Sequence, residues 1–124
     1  MILGVGIDIC DVKRVDRLIN TYGQSLTKRI FTQNEIIDCE KGGVSANQMY
    51  AARFAAKEAA IKALGKPSGT LFYEYEIVLN ENRRPILEFK GSAGKIAGGI
   101  GVKNALVSFS HLPDYVVAVI ILED

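Results

Sequence analysis

The stretch Arg53-Phe54-Ala55-Ala56-Lys57-Glu58-Ala59-Ala60-Ile61-Lys62-Ala63-Leu64-Gly65 constrains this chain more than any other. Its alanines and long unbranched side chains predict a helix, and Gly65 is the natural stop. At about 100° per residue, Glu58 lies roughly 40° from Phe54 and 60° from Ile61, beside the apolar stripe that should face the core. Arg53 and Lys57 flank the stripe on its other side. A carboxylate at the edge of a buried surface is costly unless a cation or hydrogen-bond donors satisfy it. A metal ion is the candidate cation, and a second carboxylate far upstream is placed to share it.

That second carboxylate is Asp8, in Ile2-Leu3-Gly4-Val5-Gly6-Ile7-Asp8-Ile9-Cys10. The segment alternates with period two and predicts a strand. Leu3, Val5, Ile7 and Ile9 form one face, assigned to the core. Gly4, Gly6, Asp8 and Cys10 form the other, where glycine marks close approach by a ligand or another backbone. The competing reading has Asp8 opening the next turn and capping a helix near Asp11.

A chain of 124 residues is one domain by length. Its 48% hydrophobic and 23% charged residues are ordinary for a soluble fold. No apolar run has the length of a membrane span, and Ile2 to Ile9 lacks the basic leader of a secretory signal. Cys10 and Cys39 form neither a metal-spaced pair nor a disulfide framework, so two reduced thiols in a cytoplasmic protein are expected. A net charge of +1 argues against broad capture of nucleic acid.

Asp11 is a plausible N-cap for a helix ending at Gly23, with Val12, Val15, Leu18, Ile19 and Tyr22 on its apolar face. Thr32 and Glu35 make a capping box before a short helix through Cys39, and Ser45 to Gln48 repeats the device before the long helix. Phe72–Leu79 with Pro85–Lys90, and Ala105–His111 with Tyr115–Leu122, read as two hairpins. Ser92–Ala97 is a brief helix followed by a glycine loop. The last strand is apolar on both faces, as at the centre of a sheet. Helices come early and strands late, so the class is α+β with an antiparallel sheet packed against a long helix.

Several chemistries drop out. Gly4-Val5-Gly6 lacks the rest of a dinucleotide fingerprint, and no phosphate-loop signature is present. One histidine and two distant cysteines make no ordinary zinc site. Ser110 and His111, adjacent on a strand, point to opposite faces and form no nucleophile–base pair. Carboxylates, a hard cation and basic residues remain. Lys57 follows Arg53 by four residues, and Lys62 follows Glu58 by four. Such a set suits magnesium, which takes one or two carboxylates, substrate phosphates and water. The same spacing also suits a solvated face with one helical ion pair. Lys13, Arg14 and Arg17 present a small basic surface with Asp16 alongside, the best local site for an acidic protein partner.

With these residues assembled, the chain closely resembles the holo-acyl-carrier-protein synthases, the small bacterial 4′-phosphopantetheinyl transferases. The resemblance rests on Gly4-Val5-Gly6-Ile7-Asp8-Ile9, on Arg53-Phe54-Ala55-Ala56-Lys57-Glu58-Ala59 with Lys62-Ala63-Leu64-Gly65, and on Ser108-Phe109-Ser110-His111. Phe31-Thr32 with Glu35 adds a weaker match. It implies one phosphopantetheinyl transferase domain over 1–124, which moves 4′-phosphopantetheine from coenzyme A to a serine of apo-acyl carrier protein and releases adenosine 3′,5′-bisphosphate. It further implies a cytoplasmic enzyme that acts on neither nucleic acid nor membrane and whose carrier belongs to fatty-acid, polyketide or peptide biosynthesis. Asp8 and Glu58 match the family's Mg2+ ligands, and Asp8, Glu58 and Lys62 its catalytic positions. Arg53, Lys57, Lys62, Gly65, Pro85, Ser110 and His111 fall in or beside motifs that line the coenzyme A site. Arg14 and Arg17 lie on the helix that meets the carrier protein. A homotrimer with sites between protomers is the implied assembly. Two departures stand out. Arg83 occupies a position where the family usually has glycine, which predicts an altered turn because arginine tolerates positive φ poorly, and Ala105 stands where a histidine is frequent.

Overall fold

Alanine decides the architecture. In a computed structural model describing all 124 residues, helix α4 (Ala46–Ala63) is 18 residues long and buries Ala51, Ala55, Ala56, Ala59, Ala60 and Ala63. Such small side chains let neighbouring backbones come very close. Strand β1 (Ile2–Asp11) does so with its glycines. A Cβ on Gly4 would stand 2.1 Å from the Ala63 carbonyl oxygen, and one on Gly6 would stand 1.7 Å from that of Ala59. Only glycine fits at either position.

This contact reverses the expected orientation of β1. The glycine face, not the aliphatic one, packs on the core. Val5, Ile7 and Ile9 are left 57–63% exposed. Any side chain at positions 4 and 6 would meet helix carbonyls, so the strand turns its larger residues outward.

Chain order continues with α1 (Val12–Tyr22), α2 (Gln24–Ile30), α3 (Gln33–Glu40), α4, β2 (Tyr75–Leu79), β3 (Pro85–Phe89), α5 (Gly91–Gly99), β4 (Asn104–His111) and β5 (Tyr115–Glu123). The strands form two antiparallel sheets rather than one: β1-β5-β4, and the hairpin β2-β3. Strand β5 is central, as its apolar sequence predicts. Val116, Ala118, Ile120 and Leu122 pack inward, and Val117, Val119 and Ile121 share the outer face with Val5, Ile7, Ile9 and Leu106. The α+β class holds.

Local signals hold in part. Asp11 caps α1, its carboxylate accepting from Lys13 N–H at 3.0 Å. Asp8 therefore stays within β1 and caps nothing. Thr32 and Glu35 form the expected capping box. Ser45 makes no cap hydrogen bond, because a 3-10 turn over Gly43–Ser45 already leads into α4. Helix α2 was not anticipated, and α5 runs on through Gly99. Residues Phe72–Glu74 form a 3-10 turn before β2. No helix is long and apolar enough to cross a membrane.

Candidate active site

Asp8 shares the helix-facing side of β1 with Gly4 and Gly6, so the close packing that requires glycine also brings its carboxylate toward α4. There it meets the wall that carries Glu58. Both acids line one cavity of about 310 Å³, together with Cys10, Arg14, Leu18 and Phe54. Lys62, one turn beyond Glu58, directs its amine to Asp8 Oδ1 and to the Ile7 carbonyl, each at 3.0 Å. Lys62 thus pairs with Asp8 across elements rather than with Glu58 along the helix. Glu58 has no ion pair. Burial, and then the charge of Asp8, push its carboxyl above the ordinary range, against the opposing pull of Lys62 and Lys66.

Asp8, Asp11 and Glu58 line this space with Arg14 as the one basic residue on its wall, and Lys62 pairs with Asp8 alone, so the acids outnumber the cations. That donor set fits magnesium, a hard cation that keeps water and phosphate oxygens in its shell. It does not fit an all-protein cage, since no group of three or more His, Cys, Asp or Glu is arranged to hold a metal. Cys10 adds no thiolate: burial, with the charges of Asp8 and Asp11, raises it to about 11.

A second cavity, about 220 Å³, lies at the other half of α4 and includes Gln48, Arg53, Arg83, Pro85, Phe109 and His111. Arg53 is 4% exposed and ion-paired with Asp38, while its Nε is buried without an acceptor. The two cavities share no residue. A wider groove of about 550 Å³, bordered by Asp16, Asn47 and His111, contains neither carboxylate. Asp16 and Asn47 are already hydrogen-bonded to each other there.

The site residues read from sequence therefore separate into groups. Asp8, Glu58 and Lys62 come together, with Arg14 at the rim. Arg53, Pro85 and His111 come together elsewhere. Lys57 joins neither and is corrected to a core residue. It is fully buried, with its amine donating to Glu35 Oε1 and the Tyr75 carbonyl at 2.6 Å and to the Phe72 carbonyl at 3.2 Å. Three protein acceptors leave no donor for a ligand. Ser110 pairs with Val117 on the outer sheet face, away from both cavities, and Gly65 (φ +87) follows α4 in open space. Arg17 is exposed on α1.

Sequence reasoning missed Phe54 and Cys10 as cavity walls, and it missed Asp38 as the partner of Arg53. It also expected Arg83 to relax its turn. Arg83 instead keeps φ +59.

A model of the 4′-phosphopantetheinyl transferase superfamily matches residues 4–120. A holo-[acyl-carrier-protein] synthase of Koribacter versatilis is 42% identical over the full length of both chains. One of Geobacter sulfurreducens is 41% identical over 99% of this chain and 98% of its own. Among solved structures, the Neisseria meningitidis holo-[acyl-carrier-protein] synthase superposes with a TM-score of 0.90 at 31% identity, covering both chains completely. That of Bacillus anthracis, in complex with coenzyme A (3′,5′-ADP), gives 0.81 at 30% identity over 100% of this chain and 98% of its own.

Proposed function

Because the chain belongs to the holo-acyl-carrier-protein synthase enzymes of the 4′-phosphopantetheinyl transferase superfamily, we propose that it transfers 4′-phosphopantetheine from coenzyme A to a serine of apo-acyl carrier protein with the help of Mg2+. The convergence of Asp8 and Glu58 on one cavity beside Lys62 carries this reading.

The serine hydroxyl attacks the β-phosphorus of coenzyme A. Its oxygen forms a new P–O bond as the bond to the bridging oxygen breaks, and adenosine 3′,5′-bisphosphate leaves. Asp8 and Glu58 would hold the magnesium ion, which when bound neutralises charge on the phosphate oxygens. Lys62 offers its ammonium to the same developing charge. Glu58 accepts the serine proton directly or through one water. Arg14 and Arg17 meet the acidic carrier. Neither has an ion-pair partner in the chain, and Asp16, the one acid between them, is engaged by Asn47.

Each protomer carries two half-sites, and the outer face of β1-β5-β4 is an apolar surface of the kind that monomers rarely leave open. A homotrimer through that face would set the Asp8–Glu58 cavity of one copy against the Arg53–His111 cavity of the next, so that one coenzyme A spans both.

The test is to incubate the protein with coenzyme A and apo-acyl carrier protein and to weigh the carrier by mass spectrometry. The expected result is the mass gain of one phosphopantetheine with magnesium present and none after chelation. No gain under any condition, or full gain after chelation, would overturn the reading.

A further inference from the structure

Strand β1 cannot bring Asp8 nearer to Glu58 by moving its backbone. A Cβ added at Gly4 or Gly6 would stand 2.1 or 1.7 Å from a carbonyl oxygen of α4, so strand and helix already touch just before Asp8. Any adjustment at the site falls to side chains. Lys62 lies between Ala59 and Ala63, the two helix residues that meet those glycines. It is exposed, and its flexible four-carbon stem ends in a compact positive charge.

That charge is already engaged within the chain. The Lys62 ammonium donates to Asp8 Oδ1 and to the Ile7 carbonyl, each at 3.0 Å, which occupies two of the three N–H groups of an ammonium. Glu58 lines the same cavity as Asp8 and has no ion pair. The two acids that would hold magnesium are therefore unequal: one stands free, and the other has an ammonium against it. An ammonium 3.0 Å from a carboxylate oxygen repels a divalent ion brought to the same carboxylate. Lys62 and the metal thus claim one side chain, and the lysine stem is the part of the site that is able to move.

We propose that Lys62 is a displaceable counter-ion of Asp8, which gives up Asp8 Oδ1 when magnesium binds and is thereby freed for the transfer step. The exchange weakens metal binding and makes full use of Lys62 depend on a loaded site. The inference rests on the transferase reading above and deepens it by giving Lys62 two successive partners. Lys66, four residues further on, supplies the contrast. Its charge also reaches Glu58, yet it has no ion pair, so it acts on a bound cation only through space.

Manganese stands in for magnesium in the test, since both suit carboxylate and water oxygens. Its binding to the whole protein is followed by electron paramagnetic resonance in the absence of coenzyme A. Lys62→Met removes the charge and keeps a good helix former. Its Kd for manganese is expected to fall about fivefold, the contribution of one partly exposed ion pair, with Lys66→Met within about twofold of the wild type. A crystal structure of the wild type with manganese bound is expected to show Lys62 Nζ beyond hydrogen-bond distance of both Asp8 oxygens. An unchanged or raised Kd in Lys62→Met, an equal gain in Lys66→Met, or an Asp8–Lys62 contact kept in the manganese crystal would each overturn the inference. Manganese binding that is unaffected by Glu58→Gln would instead defeat the metal reading itself, so the two failures are distinct.

Discussion

Deleting the Lys57 amine would strand the Glu35 carboxylate in a site that excludes water. Both side chains are fully buried, and Glu35 also accepts from Thr32 N–H at 2.9 Å and Ile77 N–H at 3.0 Å. Breaking one partner of such a pair costs about 3–5 kcal/mol. Lys57→Met is therefore expected to lose stability on that scale in urea unfolding, while the folded fraction still binds coenzyme A. A variant as stable as the wild type but defective in coenzyme A binding would return Lys57 to the ligand site. The sequence placed Lys57 beside Glu58 and read both as functional. Nothing in a helical pattern tells a lysine aimed at solvent from one that reaches a partner 22 residues earlier. The meeting of Asp8 with Glu58 and Lys62 was legible because each acid stands beside a face that packs inward, the glycine face of β1 and the apolar stripe of α4. Arg83 was legible only as an oddity until its side chain was seen to reach the Arg53 cavity.

At the scale of elements, the contact of β1 with α4 places Asp8 at the site. A Cβ at Gly6 meets a backbone carbonyl rather than a flexible side chain, so the strand must shift. Gly6→Ala is expected to lose about 2 kcal/mol or more, at the upper end for overpacking, and to lower transfer by moving Asp8 off Glu58. Gly98 in α5 meets nothing within 4 Å, and Gly98→Ala serves as the contrast, gaining a few tenths to about 1 kcal/mol of helix stability. Thermal unfolding of both variants checks the pair, and equal tolerance of the two substitutions would refute the close-packing account. Period-two alternation revealed that β1 has two faces but not which one is inside. The rule that aliphatic residues go to the core failed here because α4 presents alanines, which complement glycine rather than valine. The signal was present in the helix, where Ala55, Ala56, Ala59, Ala60 and Ala63 leave a shallow surface. Helix α2 escaped notice because it spans only seven residues between Gly23 and Phe31.

For the whole molecule, an outward apolar face on β1 and two cavities without a common residue find one explanation if copies assemble. The face would be buried between protomers, and the half-sites would meet across the same junction. A single chain's sequence carries no direct record of this, because burial against another copy leaves the same alternating pattern as burial within a chain. Subunit mixing tests the assembly and the division of labour together. Glu58→Gln protein, which lacks the acid, and an Arg83→Gly/His111→Ala protein, which lacks two exposed residues of the Arg53 cavity, are each assayed for transfer at low coenzyme A, then unfolded, mixed and refolded together. The expected result is a transfer rate well above the mean of the two parents, because some junctions join an intact Glu58 from one subunit to an intact His111 and Arg83 from its neighbour. A mixture no faster than that mean would mean that no site is shared between subunits, and would contradict the account.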